Sequence, residues 1–251
     1  MTVLLLGDIT GRSRVALRML SAVLEEKGHE VLMLPTALIS NTLNLGMHES
    51  LDTTDYLMRS LAVWEKLGMR YDMAYMGYIT GMEQARALAG VADRLRASGV
   101  RVIVDPILGD NGKKYNSVSQ EQAEGMKLLC AHADLITPNL TEAYLLADIP
   151  YGEAQAAQLA QALAENGVSV LITSAVDSKG SEATLVCEGG KLAEIPFERV
   201  PGHKWGTGDL FTGLLIDGLL SGMPAEEAAR NAGNHVAAQL RGEEKSLLPE
   251  Q

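Results

Sequence analysis

The sequence predicts an α/β protein whose doubly wound, mostly parallel sheet lies between two layers of helices. Short apolar runs alternate with amphipathic segments along the chain, as in successive βαβ units. The runs are bounded by Gly, Pro or Asp and are apolar throughout, which is typical of strands buried on both faces. No Pro/Ser-rich linker or change in composition divides the 251 residues. We therefore expect one domain spanning residues 1–251.

The elements follow from these two periodicities. The buried runs predict parallel strands at residues 3–6, 30–34, 73–76, 101–104, 134–137 and 168–173. Helical spacing of apolar residues predicts helices at residues 14–26, 53–67, 82–97, 120–130, 154–165, 210–220 and 225–240. Residues 183–187 and 191–195 flank a Glu-Gly-Gly turn, which predicts an antiparallel hairpin near one edge of the sheet.

Charge and composition exclude several classes of partner. The net charge of −11 argues against nucleic acid or an anionic membrane as a partner, because both need a basic face. The chain start carries no basic targeting pattern, and no apolar run reaches the length of a membrane span, so we expect a cytoplasmic protein. The two cysteines and five histidines have no metal-ligand spacing, which argues against a transition-metal site.

A glycine-flanked turn near the C-terminus carries the strongest chemical signal. Gly206-Thr207-Gly208-Asp209 runs directly into an apolar helix. Glycines let main-chain N–H groups approach an anion, and a helix start adds unsatisfied donors and the positive end of the helix dipole. The turn therefore predicts a phosphate site, with Asp209 placed to accept a proton from an attacking hydroxyl.

Asp209 taken alone has a second interpretation as a first-turn carboxylate that stabilises the helix start. On either interpretation the helix dipole is expected to lower the pKa of Asp209. The other polar residues decide between the two, because they follow the predicted strands and so share the sheet edge where ligands bind. These residues are Asp8, Tyr78, Asp105, Asn139, Glu142, Thr173 and Ser174.

Two of these strand-end residues have a further role open to them. Asn139 and Glu142 have the spacing of a helix capping box, and a carboxylate one turn into a helix can also hold water around Mg²⁺. The capping and metal-binding interpretations are compatible. We therefore expect Glu142 to be a metal-binding carboxylate.

Three collinear motifs give the chain a family resemblance. The glycine turn with Phe211-Thr212-Gly213, Asp105-Pro106 with Gly109-Asp110-Asn111-Gly112, and the Thr137–Glu142 stretch TPNLTE together resemble the vitamin B6 kinases, the pyridoxal and pyridoxamine kinases of the ribokinase-like superfamily. The resemblance implies a ribokinase-like fold and ATP-dependent phosphorylation of a B6 vitamer on its primary hydroxyl, with Mg²⁺. It further implies a homodimer and leaves open a requirement for a monovalent cation such as K⁺.

The resemblance also assigns site residues. Asp209 would be the catalytic base, and Gly206, Thr207 and Gly208 would form the anion hole. The nucleotide and Mg²⁺ would be faced by Asp105, Thr137, Asn139, Glu142, Thr173, Ser174 and, within residues 197–200, Val200. Of these, Asp105 and Glu142 would be the metal-binding carboxylates. The pyridine substrate would be faced by Asp8, Leu43, Asn44 and Tyr78.

The sequence departs from the family pattern in the substrate half. Thr42 stands after Ser-Asn where family members commonly have His, and residues 8–14 lack the expected aromatic and histidine pattern. Two alternatives therefore stay open: a kinase for hydroxymethylpyrimidine or another small alcohol, and a non-catalytic protein that binds a B6 vitamer or nucleotide. Asp209 argues against a hydroxymethylpyrimidine kinase, since those kinases tend to have Cys at this position. It also argues against a non-catalytic binding protein, which has little need of a catalytic base.

Overall fold

A nine-stranded sheet forms the centre of the computed structural model, which describes residues 1–42, 47–198, 200, 205–244 and 246–248. Its strands are β1 (Thr2–Thr10), β2 (Glu30–Ile39), β3 (Ser50–Asp52), β4 (Met73–Met76), β5 (Arg101–Val104), β8 (Leu135–Ile136), β9 (Ser169–Val176), β10 (Glu182–Glu188) and β11 (Lys191–Pro196). A separate two-stranded ribbon consists of β6 (Gly109–Asp110) and β7 (Lys113–Lys114). In space the large sheet runs β11-β10-β9-β8-β5-β4-β1-β2-β3.

Helices cover both faces of the sheet. They are α1 (Leu17–Glu26), α2 (Thr54–Lys66), α3 (Met82–Ala97), α4 (Gln120–Cys130), α5 (Leu140–Leu146), α6 (Ala156–Ala164), α7 (Thr207–Leu220) and α8 (Ala225–Arg241). Helices α1, α7 and α8 share one buried core with one face of the sheet, and α2 to α6 share the other core with the opposite face. Residues alternate between the two cores along β1, as a strand buried on both sides requires. None of the described helices is both long and apolar enough to cross a membrane.

The strand order fixes where a ligand can bind. Strands β1, β2, β4, β5, β8 and β9 pair in parallel, whereas β3, β10 and β11 join antiparallel at the two edges. The chain moves outward from β1 to β2 and then returns to the other side of β1 to form β4. This reversal is a topological switch point, where open α/β sheets leave a crevice beyond the strand ends. Asp8 near the end of β1 and Tyr78 after β4 flank that crevice.

The predicted fold class is confirmed, including the edge hairpin, but three short elements are absent from the sequence-based assignment. Strand β3, the β6–β7 ribbon and helix α5 have two to seven residues each, too few for a periodic signal. The start of α1 is also predicted too early. Ser13 and Ala16 have φ of 69° and 51°, so the helix begins only at Leu17.

A β-bulge in β2 shapes the substrate side of the crevice. Gly7 pairs with Pro35 and Asp8 with Ala37, so Thr36 is the extra residue opposite the Gly7–Asp8 step. The Thr36 carbonyl accepts a 2.9 Å hydrogen bond from Nε2 of the buried Gln84 and a 3.2 Å hydrogen bond from the Thr53 N–H. Gln84 thus satisfies the main chain at the bulge that lies beside Asp8.

We predict that Gln84→Leu destabilises the protein by about 2–4 kcal/mol, because it removes three hydrogen bonds around the bulge, one of them to the Thr36 carbonyl. The other two join the Thr80 amide to Gln84 Oε1 at 2.9 Å and Gln84 Nε2 to Thr54 Oγ1 at 2.8 Å. Urea unfolding checks the change, with Gln120→Leu as control, since Gln120 bonds only on the exposed surface of α4 to Glu124. Equal stability of the two variants would contradict this role of Gln84.

Candidate active site

The glycine turn before α7 has the geometry of an anion site. Gly206 is the N-cap of the helix and has φ of 83°, a left-handed conformation that glycine adopts without a Cβ penalty. A Cβ at Gly206 would also lie 3.3 Å from the Arg14 carbonyl oxygen. At Gly208, by contrast, a Cβ would meet no protein atom within 4 Å. Packing explains the first glycine but not the second, and the open space beside the first-turn amides can receive a ligand.

Asp209 lies in the first turn of α7 and is half-buried. Its Oδ2 accepts a 2.8 Å hydrogen bond from the main-chain N–H of Ala16, at the start of α1. Burial raises the pKa of Asp209, and the Ala16 hydrogen bond opposes that rise only in part. The expected lowering of this pKa is therefore wrong, because loss of solvent outweighs the charge-stabilising surroundings of the helix start.

Four carboxyl groups converge at this edge of the sheet: Asp8, Asp105, Glu142 and Asp209, which we call the carboxylate cluster. Burial, followed by the charge of Asp209, raises the pKa of Asp8 to about 7. The same two causes raise the pKa of Asp105. Burial and then the charge of Asp105 raise the pKa of Glu142. The sequence places these residues on one edge, and the structure brings them close enough to disfavour simultaneous ionisation.

Asp105 follows β5 and is held from two sides. Its Oδ2 accepts hydrogen bonds from Thr212 Oγ1 at 3.3 Å and from the Tyr75 hydroxyl at 3.5 Å. Thr212 lies one turn after Asp209 on α7, so one helix contributes both Asp209 and a support for Asp105. Neither Thr212 nor Tyr75 is among the predicted site residues, although the spacing from Asp209 to Thr212 could have indicated the former.

Glu142 lies in the first turn of α5 and forms the capping box with Asn139. Glu142 Oε2 accepts from the Asn139 N–H at 2.9 Å, and Asn139 Oδ1 accepts from the Glu142 N–H at 3.0 Å. Glu142 Oε1 also accepts from the Leu108 N–H at 3.1 Å, while Asn139 Nδ2 donates to the Gly109 carbonyl at 2.8 Å. The structure thus contains the predicted capping box. The same two side chains also link the loop after β5 to α5 through hydrogen bonds.

The remaining nucleotide-side candidates lie next to this loop. Thr137 is buried, and its Oγ1 has no hydrogen-bond partner, which marks it as a polar atom available to a ligand. Asn139 forms an isolated parallel bridge with Thr173. Thr173 and Ser174 together face a single position of β10, and Ser174 has φ of 54° in this bulge. Val200 is half-buried after the end of β11.

The substrate-side candidates are described only in part. Tyr78 is buried, and its hydroxyl accepts a 3.0 Å hydrogen bond from Gln122 Nε2. Burial raises the pKa of Tyr78, and the charge of Asp8 adds to the rise, so these two residues face a common region. Leu43 and Asn44 lie outside the described residues.

The donors at this edge fit a magnesium ion. Mg²⁺ binds through one or two carboxylates, keeps several waters and takes further oxygens from phosphates. Asp105 and Glu142 offer the carboxylates, the orphaned Thr137 hydroxyl lies on the strand-end segment between them in sequence, and the mutual repulsion of the cluster favours a cation. Within the described residues no group of three or more His, Cys, Asp or Glu side chains is arranged to hold a metal through protein ligands alone.

Comparison with known proteins identifies the family of this chain. The family model for phosphomethylpyrimidine kinase matches residues 33–248, well over half of the chain. The chain therefore belongs to the phosphomethylpyrimidine kinase family.

Curated relatives within this similarity carry two different names. The hydroxymethylpyrimidine/phosphomethylpyrimidine kinase of Rhizobium meliloti is 32% identical over 169 residues, which cover 64% of this chain and 62% of that protein. The pyridoxine/pyridoxal/pyridoxamine kinase of Bordetella bronchiseptica is 30% identical over 226 residues, covering 85% of this chain and 79% of that protein. The chain thus spans less than two thirds of the length of the Rhizobium relative.

A solved structure shares the whole architecture. A protein of Bacteroides thetaiotaomicron, provisionally named a phosphomethylpyrimidine kinase and crystallised with pyridoxal, is 29% identical. It superposes with a TM-score of 0.85 over 96% of this chain and 87% of its own. Pyridoxal kinases at 23% and 18% identity, which share the fold, were crystallised with ADP.

We predict that Asp8→Asn stabilises the protein at pH 8. A carboxyl group whose folded-state pKa is about 7 costs stability as the pH rises from the unfolded value near 4 towards 7. A shift of that size corresponds to about 2–4 kcal/mol at pH 8, which the amide removes. Urea unfolding at pH 5 and pH 8 checks this.

The control for this prediction is Asp55→Asn, in the exposed first turn of α2. All three proteins should lose stability between pH 5 and pH 8, because Asp105, Glu142 and Asp209 also have raised pKa values, but Asp8→Asn should lose less than the wild type and the control. Parallel pH curves for all three proteins would mean that Asp8 does not titrate abnormally.

Proposed function

We propose that the protein transfers the γ-phosphoryl group of ATP to the primary hydroxyl of a vitamin B6 vitamer, namely pyridoxal, pyridoxamine or pyridoxine. The observation that carries this proposal is Asp209, a carboxylate with raised pKa beside a glycine turn and the open first turn of α7. Membership of a kinase family and the structural likeness to a protein crystallised with pyridoxal support it.

The chemical step assigns a role to each part of the turn. The hydroxyl oxygen of the vitamer forms a bond to the γ-phosphorus while the bond from that phosphorus to the β–γ bridging oxygen breaks. ADP leaves with the bond electrons, and the hydroxyl proton passes to Asp209. Main-chain N–H groups of residues 206–208 stabilise the charge on the transferring group. The raised pKa makes Asp209 a better proton acceptor than an exposed aspartate.

We further propose that Asp105 and Glu142 hold Mg²⁺, which when bound would neutralise phosphate charge. Thr137, Asn139, Thr173, Ser174 and Val200 would face the nucleotide. Asp8 and Tyr78 would face the acceptor, since they flank the crevice on its other side; Leu43 and Asn44 are proposed for the same side. We also retain the proposal that residues 1–251 form one domain.

Hydroxymethylpyrimidine is the second candidate acceptor. The matched family model and the Rhizobium relative favour it, because both carry the name of a phosphomethylpyrimidine kinase. Asp209 favours the B6 vitamer, since the hydroxymethylpyrimidine kinases tend to have a cysteine in its place. Both acceptors would use the same phosphoryl-transfer chemistry. They would differ in the contacts they make on the side of the crevice where Asp8 and Tyr78 lie.

We predict that Asp209→Asn lowers kcat by about 10²–10⁴-fold, because the variant cannot accept the hydroxyl proton. The Kd for ATP should change little. The measurement is ADP release with Mg-ATP against pyridoxal, pyridoxamine, pyridoxine, hydroxymethylpyrimidine and ribose. Asp217→Asn is the matched control, since Asp217 lies on the same helix but bonds to His29 at 2.9 Å.

Each result of this assay has a distinct meaning. Turnover of a B6 vitamer that is lost in Asp209→Asn and kept in Asp217→Asn supports the proposal. Turnover of hydroxymethylpyrimidine alone would keep the chemistry and replace the acceptor. Tight vitamer binding without ADP release from any acceptor would identify a binding protein, and near-normal kcat in Asp209→Asn would remove that residue from the base role.

We also propose a homodimer that forms through the β2–β3 edge. Large apolar side chains are exposed there, with Leu38, Leu51 and Tyr56 at 42%, 60% and 54% exposure. Leu51→Glu should convert the dimer to a monomer in light scattering, because it places a charge in the apolar contact. Val176→Glu, at 49% exposure on the other half of the sheet, should leave the dimer intact. A monomeric wild type would refute the dimer.

A further inference from the structure

Ala16 has a main-chain conformation that a residue with a side chain rarely adopts. Its φ and ψ are 51° and −136°, although a helix N-cap normally lies in the extended region. Ala16 is buried, so the conformation belongs to the packed interior and not to a solvent-exposed turn. Such strain persists only where surrounding contacts impose it.

The two peptide groups of Ala16 show what this conformation achieves. Its carbonyl oxygen accepts the first hydrogen bonds of α1, from Met19 N at 3.0 Å and Leu20 N at 3.1 Å. Its N–H does not continue along the helix direction but donates to Asp209 Oδ2 at 2.8 Å, across to α7. The strained torsion angles of Ala16 therefore serve two purposes at once: the carbonyl starts α1, and the amide points at Asp209.

The preceding loop is fastened so that it holds this position. Arg18 Nη1 donates to the Ser13 carbonyl at 3.1 Å, and Thr10 Oγ1 donates to the Arg12 carbonyl at 2.9 Å. The Arg14 carbonyl lies against Gly206, where any Cβ would approach it to 3.3 Å. The loop thus makes two contacts near the start of α7. One is with Gly206, and the other is with the carboxylate of Asp209.

We propose that Ala16 is a positioning residue: its strained main chain aims an amide at Asp209 and fixes the carboxylate of the proposed base in one orientation. This inference rests on the proposed function for the role of Asp209. The amide occupies Oδ2 and leaves Oδ1 to face the acceptor hydroxyl. Because the donor is a main-chain group on a packed helix start, the orientation does not depend on a side-chain rotamer.

The first test compares the same β-branched substitution at two positions of positive φ, one in this loop and one away from it. Ala16→Val should lower kcat by about 10–100-fold with little change in KM for ATP or the acceptor, since valine forces the amide away from Asp209. Asp148→Val is the control, because Asp148 has φ of 56° but lies in the exposed turn after α5, away from the loop that holds Ala16. Its kcat should stay within about threefold of wild type.

A conservative substitution provides the rescue. Glycine at position 16 keeps the N–H and adopts these torsion angles without a Cβ penalty, so Ala16→Gly should keep kcat within about threefold. Its Tm should not fall below that of wild type, because relief of strain offsets the added freedom of the unfolded chain. Loss of kcat in Ala16→Gly as large as in Ala16→Val would overturn the proposal.

The second test needs no turnover and still applies if Ala16→Val fails to fold. Hydrogen exchange of the Ala16 amide should accelerate about tenfold or more in Asp209→Ala, which removes the acceptor. The Met19 amide is the control, since it donates to the Ala16 carbonyl and should keep its rate. An unchanged Ala16 rate would show that the hydrogen bond does not hold in solution and would overturn the proposal.

The two tests also separate this inference from the proposed function. A wild type that phosphorylates no acceptor refutes the function, and the exchange rates alone then decide whether Ala16 holds Asp209. An active wild type whose folded Ala16→Val variant keeps full kcat refutes the positioning role and leaves the function intact.

Discussion

The burial of four carboxyl groups at one edge of the sheet is the constraint on which the site depends. Asp8, Asp105, Glu142 and Asp209 converge because parallel strands deliver their carboxyl ends to a single edge. Main-chain amides offset the charge on two of them, from Leu108 and Asn139 to Glu142 and from Ala16 to Asp209. Hydroxyl groups of Thr212 and Tyr75 do so for Asp105. Burial still raises the pKa of all four carboxyl groups, and the charge of a neighbouring carboxylate adds to the rise at Asp8, Asp105 and Glu142, so a cation at this edge has a strong electrostatic reason to bind.

Periodic patterns make most of the fold predictable from the sequence. The six parallel strands, the edge hairpin and all helices except α5 follow from apolar spacing, because each repeats its signal over several residues. Strand β3, the β6–β7 ribbon and α5 owe their structure to tertiary partners. α5, for example, begins where the Asn139 capping box meets the loop that Glu142 and Leu108 hold in place. The Asn139–Glu142 spacing is visible in the sequence, but the length of the helix is not.

Site residues are predictable where their chemistry is local and are missed where it is tertiary. Strand-end position identifies Asp8 and Asp105, and the glycine turn identifies Asp209. The predicted direction of the pKa shift of Asp209 is wrong, because a sequence displays the helix start but not the depth of burial around it. Ala16 carries no functional side chain, so neither motif nor composition indicates that its amide contacts Asp209. The strained torsion angles that reveal it exist only in three dimensions.

The two sides of the crevice differ in how they are built, and the difference bears on acceptor choice. On the proposed nucleotide side, Asp105 and Glu142 are fixed by central strands, a capping box and α7. On the proposed acceptor side, Asp8 lies beside the Thr36 bulge, next to an edge of the sheet that ends in the three-residue strand β3. Changes at such an edge disturb few other contacts, whereas changes at the centre disturb the packing of both cores. Under the proposed function, relatives can therefore keep one phosphoryl-transfer apparatus while the acceptor differs, as the names of the Rhizobium and Bordetella enzymes suggest.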